Sequence, residues 1–411
     1  MAWAQGATFA GGLAEWSIML IVPMFVFSVT DDPFMSGATG GALLGAAFVV
    51  RFLLGPVINQ IGARRTEWVA AAVQTVCAVG IAVLVGMDEP PILVLIGAMA
   101  VLGGAGGANT LAKDTISPKA AMYVGLTPQR GFAFNSAAII TSQAFGPTLG
   151  AFASSYVLVG VIGAAALLKV NALIAGFALP RDMETPVPAE PGGYWKSLGS
   201  GVAYVWKNRT LRRVNGMLFV VEGLIAPLNG VALPMWAKET GASMGAVATI
   251  VSASAFAGIA GALLAMRLGE RVQPWKILTV AYVAIVAQLA VLGLGALGVV
   301  VPVWQVAVVW ILAGISGSAP YAQLQAINGL LPPKELQART MAVSGSIGRS
   351  GSSVGNFVVG ASLAQFGLWA MLAGAVLLFV VTQSTAWCQR VRALPVGVRH
   401  QEKGTPAVAT A

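Results

Sequence analysis

The sequence predicts an all-α membrane protein with twelve transmembrane helices in two pseudo-symmetric six-helix bundles, and three observations carry that prediction. Of 411 residues, 57% are apolar and only 9% are charged, whereas a soluble domain carries about 25% charged residues. Mean hydropathy is +0.80. The apolar residues also fall in runs long enough to cross a hydrocarbon core, which takes roughly 20 helical residues. Lipid offers the backbone no hydrogen-bond partner, so such runs are helices.

In chain order the runs cover 8–29, 36–58, 66–86, 92–112, 131–154 and 157–180, then 213–235, 243–266, 275–299, 301–326, 339–364 and 367–388. They divide the chain into an N-terminal bundle (1–180), a cytoplasmic linker (181–212), a C-terminal bundle (213–388) and a cytoplasmic tail (389–411). The first run lacks a small-residue cleavage site and reads as a retained span. Pro186, Pro188 and Pro191 make the start of the linker extended. From Ser197 to Arg213 the pattern turns amphipathic, with Trp195 and Trp206 beside basic residues, which suits the inner membrane surface.

Lysine and arginine orient the chain. With both termini inside, the cytoplasmic side receives Arg64, Arg65, Lys113, Lys119, Arg130, the linker cations, Arg267, Arg271, Lys334 and Arg339. The outer side receives Lys238 alone, with Asp31, Asp32, Asp88, Glu89 and Glu239. The expected setting is the bacterial plasma (inner) membrane, as a multi-pass monomer in the lipid bilayer.

Several function classes drop out. A net charge of +9 and a pI of 9.8 would fit nucleic acid only if the cations shared a solvated face; here they sit in short loops. Cys77 and Cys388 lie in different spans, and His400 is the single histidine, so no disulfide framework, metal site or catalytic triad is expected. Gly103-Gly104-Ala-Gly106-Gly107 has no strand before it and reads as a close-packing helix face, not a dinucleotide loop. No Walker loop is present to use ATP. The expectation is a protein without enzymatic activity or cofactor.

The loop after the second span reads Gly55-Pro-Val-Ile-Asn59-Gln60-Ile-Gly62-Ala-Arg64-Arg65. It resembles the signature of the major facilitator superfamily, with Asn59 in place of the usual Asp and Gln60 in place of a basic residue. The resemblance implies a cytoplasmic gate built from Gly55, Asn59, Gly62, Arg64 and Arg65. Asn59 can still accept a helix-cap hydrogen bond but cannot form a charged pair. The fifth span contains Ser142-Gln143-Ala-Phe-Gly146-Pro147-Thr-Leu-Gly150, which resembles the Gly-Pro element of exporting antiporters in that superfamily. Proline bends the helix, and Gly146 and Gly150 let another helix approach. A degraded second copy of the gate loop surrounds Gly261, Arg267, Gly269 and Arg271.

Three further stretches narrow the resemblance. Lys113-Asp114-Thr-Ile-Ser-Pro118-Lys119 leads into Arg130-Gly-Phe-Ala-Phe-Asn135-Ser136; Gly201-Val-Ala-Tyr-Val-Trp206 leads to Leu211-Arg212; Arg339-Thr-Met-Ala-Val-Ser344 opens the eleventh span. Together they are similar to Tap-type multidrug efflux permeases, and more distantly to the enterobactin-exporter and macrolide-efflux groups. That resemblance implies amphipathic substrates and export driven by protons.

Ionisable residues inside spans are costly and face a partner or a cavity. Glu15 and Arg51 both lie about 15 Å from the cytoplasmic ends of their helices, at 1.5 Å rise per residue. They are expected either to form a structural pair or to leave Glu15 as the proton carrier. Glu222 and Arg349 match in depth in the same way and are expected to pair or to form a second proton site. Two readings stand for Lys169: it snorkels outward, or it contacts an acidic substrate. Trp16, Asn109, Gln143, Asn229, Tyr321, Gln323 and Gln325 are candidate cavity residues, with Met217 as part of a greasy wall. The competing reading for each polar one is a helix-to-helix hydrogen bond. The functional expectation is a secondary transporter that exports a small amphipathic compound by proton antiport; the alternative is a proton symporter that imports a small metabolite. A membrane scaffold would gain nothing from the desolvation of these charges.

Overall fold

The structure, a computed structural model, describes residues 2–55, 58–125, 135, 138, 139, 141, 142, 145, 146, 157–174, 193–268, 274–332 and 334–383. The helices are α1 (Ala2–Thr30), α2 (Pro33–Leu54), α3 (Ile58–Ile61), α4 (Ala63–Val85), α5 (Ile92–Tyr123) and α6 (Val157–Leu173). They continue as α7 (Gly193–Lys207), α8 (Arg209–Pro227), α9 (Leu233–Thr240), α10 (Met244–Leu268), α11 (Pro274–Gly293), α12 (Val303–Leu330), α13 (Lys334–Phe366) and α14 (Trp369–Gln383). Helical residues occur at each predicted span; at the fifth they are Asn135, Ala138, Ile139, Thr141, Ser142, Phe145 and Gly146.

Local chemistry sets the breaks. Asp32 caps α2 by accepting from the Phe34 N–H at 2.8 Å, and Pro33 opens the helix where no N–H is needed. Asn208 is the single residue between α7 and α8; its side chain accepts from the N–H groups of Thr210 (3.0 Å) and Leu211 (3.1 Å). Gly62 precedes α4 at φ 95°, a conformation that a side chain would strain. After Pro227 the chain makes a π-turn over Leu228–Ala232 before resuming as α9. Such insertions mark bends in otherwise continuous helices.

Helix association in lipid gains little from the hydrophobic effect and rests on close contact and hydrogen bonds. Before the linker, α2 packs on α5, α5 on α4, and α6 on α1 and α4. After it, α10 packs on α12, α12 on α11, α11 on α14, and α8 on α13. The close approaches repeat. Gly103 and Gly107 of α5 lie on the carbonyls of Leu43 and Ala47 in α2, while Gly314 of α12 and Gly261 of α10 lie on the carbonyls of Ser254 and Ile315 in each other's helices. A Cβ at any of these four positions would overlap a carbonyl oxygen. Large apolar side chains such as Val76, Leu93, Val159 and Leu377 point outward, as a lipid-facing surface requires.

Contacts also cross between the regions before and after the linker. Helix α2 lies along α13, where Ser353 donates to the Gly41 carbonyl at 2.8 Å. Leu20 and Met24 of α1 join the core formed by α8 to α14. On the face where sequence puts the outside, Lys238 pairs with Asp31 and sits 5.3 Å from the centre of the Phe27 ring.

Candidate functional site

Glu15, Arg51 and Arg349 converge between α1, α2, α5 and α13. Glu15 Oε1 of α1 stands 3.8 Å from Arg349 Nη1 of α13, with side chains 15% and 25% exposed. Together with Arg51, Ala47, Gly107 and Thr110 they line one narrow cleft. Gly107 has no side chain to fill this space, and its contact with Ala47 brings α5 and α2 close beside the cleft.

The expected Glu15–Arg51 pair is corrected. Arg51 bonds to Asp114 of α5, Nη2 to Oδ2 at 2.9 Å, rather than to Glu15. Its guanidinium also reaches the neighbouring half: a Cβ on Gly345 of α13 would sit 2.7 Å from Arg51 Nη2. Arg349 remains within electrostatic reach of Glu222, and it stands within ion-pair distance of Glu15. Glu222 is held by Ser352, whose Oγ donates to Oε2 at 2.9 Å. Depth along a helix fixes a residue's height; its direction around the axis decides which neighbour it meets.

The end of the predicted fourth span is also corrected. It was drawn at residue 112, before Lys113 and Asp114, but α5 continues to Tyr123. Lys113 is only 8% exposed, and the acids around its ammonium are Glu67, Glu15 and Asp114. Asp114 accepts from Asn135 Nδ2 at 3.0 Å, and Asn135 Oδ1 in turn accepts from Ser117 (3.1 Å) and Thr8 (3.2 Å). Hydropathy reads a Lys-Asp pair as a loop because it cannot see that each charge has a partner. A signal was available: Gly106, Thr110 and Lys113 follow one another at helical spacing on one face.

The other candidates separate clearly. Asn109 donates to Gln74 Oε1 at 2.7 Å, and Asn229 accepts from Trp310 Nε1 at 2.8 Å; both are helix-to-helix bonds. Met217 is 3% exposed within the core. Lys169 is exposed on α6 beside Val170 and Leu173 and does not line the cleft. Trp16 packs over Gly146, where an added Cβ would lie 2.5 Å from the Trp16 Cβ. Ser17 also donates to the Gly146 carbonyl at 2.9 Å. Gly146 therefore is a close-contact residue. Pro147, Gly150 and Gln143 lie outside the described residues, as do the side chains of Tyr321, Gln323 and Gln325.

At the expected gate, Gly55 follows α2 and faces Ala342 of α13, with 3.3 Å between an added Cβ and the Ala342 Cβ. Asn59 belongs to the short α3, its side chain outside the described residues. Arg64 is partly buried and Arg65 exposed. Among the described residues, no group of three His, Cys, Asp or Glu side chains could hold a metal ion.

No family model matches the chain. It is 23% identical over 280 residues to the multidrug efflux pump Tap of Mycobacterium tuberculosis, and equally to that of Mycobacterium bovis. The match covers 65% of this chain and 66% of those relatives, just under two thirds of their length. Among solved structures, a variant of the nucleoside transporter NupG superposes with a TM-score of 0.75 at 15% identity, covering 95% of this chain and 99% of its own. A POT family transporter in complex with 5-aminolevulinic acid superposes with a TM-score of 0.72 at 9% identity, covering 95% and 96%. The helices, their close-packed order and these likenesses make the chain a multi-pass, twelve-helix membrane protein with the major facilitator fold, distantly related to Tap-type permeases.

Proposed function

We propose that the chain is a proton-coupled secondary transporter of a small organic solute, in which the halves before and after the linker rock about the cleft between them. The observation that carries this reading is the Glu15–Arg349 pair, because it joins α1 to α13 across the two halves. Alternating access requires a midplane site exposed to each side in turn. At an effective dielectric of about 20, opposite charges about 4 Å apart attract by roughly 4 kcal/mol before desolvation. Moving a two-state equilibrium from 1:99 to 99:1 takes about 5.5 kcal/mol. Loss of this attraction when Glu15 is protonated falls short of that on its own, so substrate binding must supply the rest.

The lining of the cleft favours a small polar solute. Three charged side chains and Thr110 line it, with Ala47 and Gly107 between them, so a solute carrying a carboxylate or an amine would meet partners once the halves part. Uptake by proton symport suits such a solute. The likeness to the nucleoside transporter and to the POT structure holding 5-aminolevulinic acid supports it. Export by proton antiport has its own support in the tight contact of Gly146 with α1 and in the Tap match.

Inverted vesicles with an acidified lumen decide between the two. An antiporter draws a test compound into the lumen, and a symporter drives it out. The panel pairs amphipathic antibiotics with nucleosides and short peptides. The symport reading predicts acid-driven release of a polar compound, stopped when the gradient is collapsed. Acid-driven accumulation of an amphipathic compound would replace uptake by export. Solute movement that ignores the gradient would overturn proton coupling itself.

A further inference from the structure

The linker helix α7 does more than connect. Its inner face is fixed to α13: Gly201 lies against Arg339, with 3.1 Å between an added Cβ and the Arg339 Cβ, and Arg339 Nη1 donates to Ser200 Oγ at 3.0 Å. Val205 joins Leu211 and Val343 in a small core that also takes in Phe52 of α2. The opposite face is open. Lys196, Gly199, Ala203, Trp206 and Lys207 are exposed at helical spacing, and Arg209 and Arg212 are exposed just beyond the corner. That corner is stiff, since Asn208 caps α8 and Arg212 Nη1 donates back to the Trp206 carbonyl at 3.1 Å. From Gly193 to Arg213 the chain has five cations and no acid.

We propose that this open face binds anionic phospholipid headgroups of the inner leaflet, and that lipid held there pins the inner ends of α2 and α13. Three features of the surface fit that partner. Every charged side chain exposed on it among the described residues is a cation, so it complements anionic headgroups. Trp206, 65% exposed beside Lys207, has the amphipathic ring that sits at the headgroup level of a bilayer. The lysine and arginine bias puts the helix at the cytoplasmic surface, where anionic lipid attracts basic segments. Because the same helix grips α13 through Arg339, and Phe52 of α2 packs on the small core it shares with Val343, lipid captured on its outer face bears on the contact between the halves. The proposal is independent of substrate and coupling ion.

The test uses the full chain purified in detergent, with lipid adducts counted by native mass spectrometry. Phosphatidylglycerol should remain bound to the wild type, while phosphatidylcholine and inorganic phosphate at equal concentration should not. The variant K196Q/K207Q/R209Q/R212Q should lose phosphatidylglycerol affinity by roughly tenfold or more, given that each cation near an anionic surface contributes separately. W206A should weaken it less. These side chains are exposed, so the variants should fold; unchanged melting in phosphatidylcholine nanodiscs checks that. In wild-type nanodiscs, adding phosphatidylglycerol should slow labelling of a cysteine placed at Ala342, where α13 meets Gly55 of α2. Equal phosphatidylglycerol retention by wild type and the quadruple variant would overturn the lipid site. Retention lost with labelling unchanged would overturn the pinning.

Discussion

The interiors of the two halves are built from the same helix contacts but from different chemistry. In the first, buried charges and amides form a connected set: Arg51 with Asp114, Asp114 with Asn135, Asn109 with Gln74, and Lys113 among three acids. In the second, the centre is aromatic and aliphatic, with Trp236, Tyr282 and Trp310 fully buried. Its polar contacts among the described residues include Asn215 with Asn328 and Glu222 with Ser352. Yet α2 meets α5 through glycines just as α10 meets α12. Shared backbone contact sets the fold, and the side chains then divide the labour. On this account the first half carries the charge chemistry, and the second supplies a rigid partner through Arg349.

The largest effect expected from breaking this contrast lies in the polar interior. Asp114→Asn removes the partner of a partly buried guanidinium and should cost about 2–3 kcal/mol, read as a lower melting temperature in detergent. Combining it with Arg51→Gln should restore much of that loss, since no lone charge remains; a double variant no more stable than the single would show that Asp114 acts otherwise. Close packing should respond alike in both halves. Gly103→Val and Gly314→Val each force a side chain into a carbonyl and should cost about 1–3 kcal/mol. A harmless substitution at either position would break the mirrored-contact argument. Trp310→Phe leaves Asn229 without its donor and should cost about 1 kcal/mol, detectable as a small melting shift. Asp31→Asn removes only an exposed pair with Lys238, worth up to about 1 kcal/mol. Its effect should vanish at high salt, and persistence there would mean that the contact is not electrostatic.

Much of this was legible in sequence. Length and apolarity located the spans, and the glycine run at 103–107 read correctly as a packing face because no strand preceded it. Gly62 earned its place in the loop signature through a positive φ that the spacing anticipates. The partners of the charges were not legible. Glu15, Arg51 and Arg349 share a depth, but depth alone cannot separate a neighbour in the same half from one across the cleft. Lys113 failed for a different reason: a charged pair ends a hydropathy window whether or not the helix goes on, and here it goes on for ten more residues to Tyr123. Asn109 and Asn229 illustrate a third limit, since an amide inside a span looks the same whether it faces solute or a neighbouring helix.

The central claim is that the Glu15–Arg349 pair senses protons and sets how the two halves meet. Spin labels on cysteines at Met87 and Val299, exposed near the outer ends of α4 and α11, report that relationship as a distance distribution between pH 5 and pH 8. The wild type should shift between two distances as the pH is lowered. Glu15→Gln, which mimics the protonated acid and releases Arg349, should stay at the low-pH distribution throughout, and Arg349→Gln should do the same. A Glu15→Gln protein that keeps the full wild-type pH response would contradict the account.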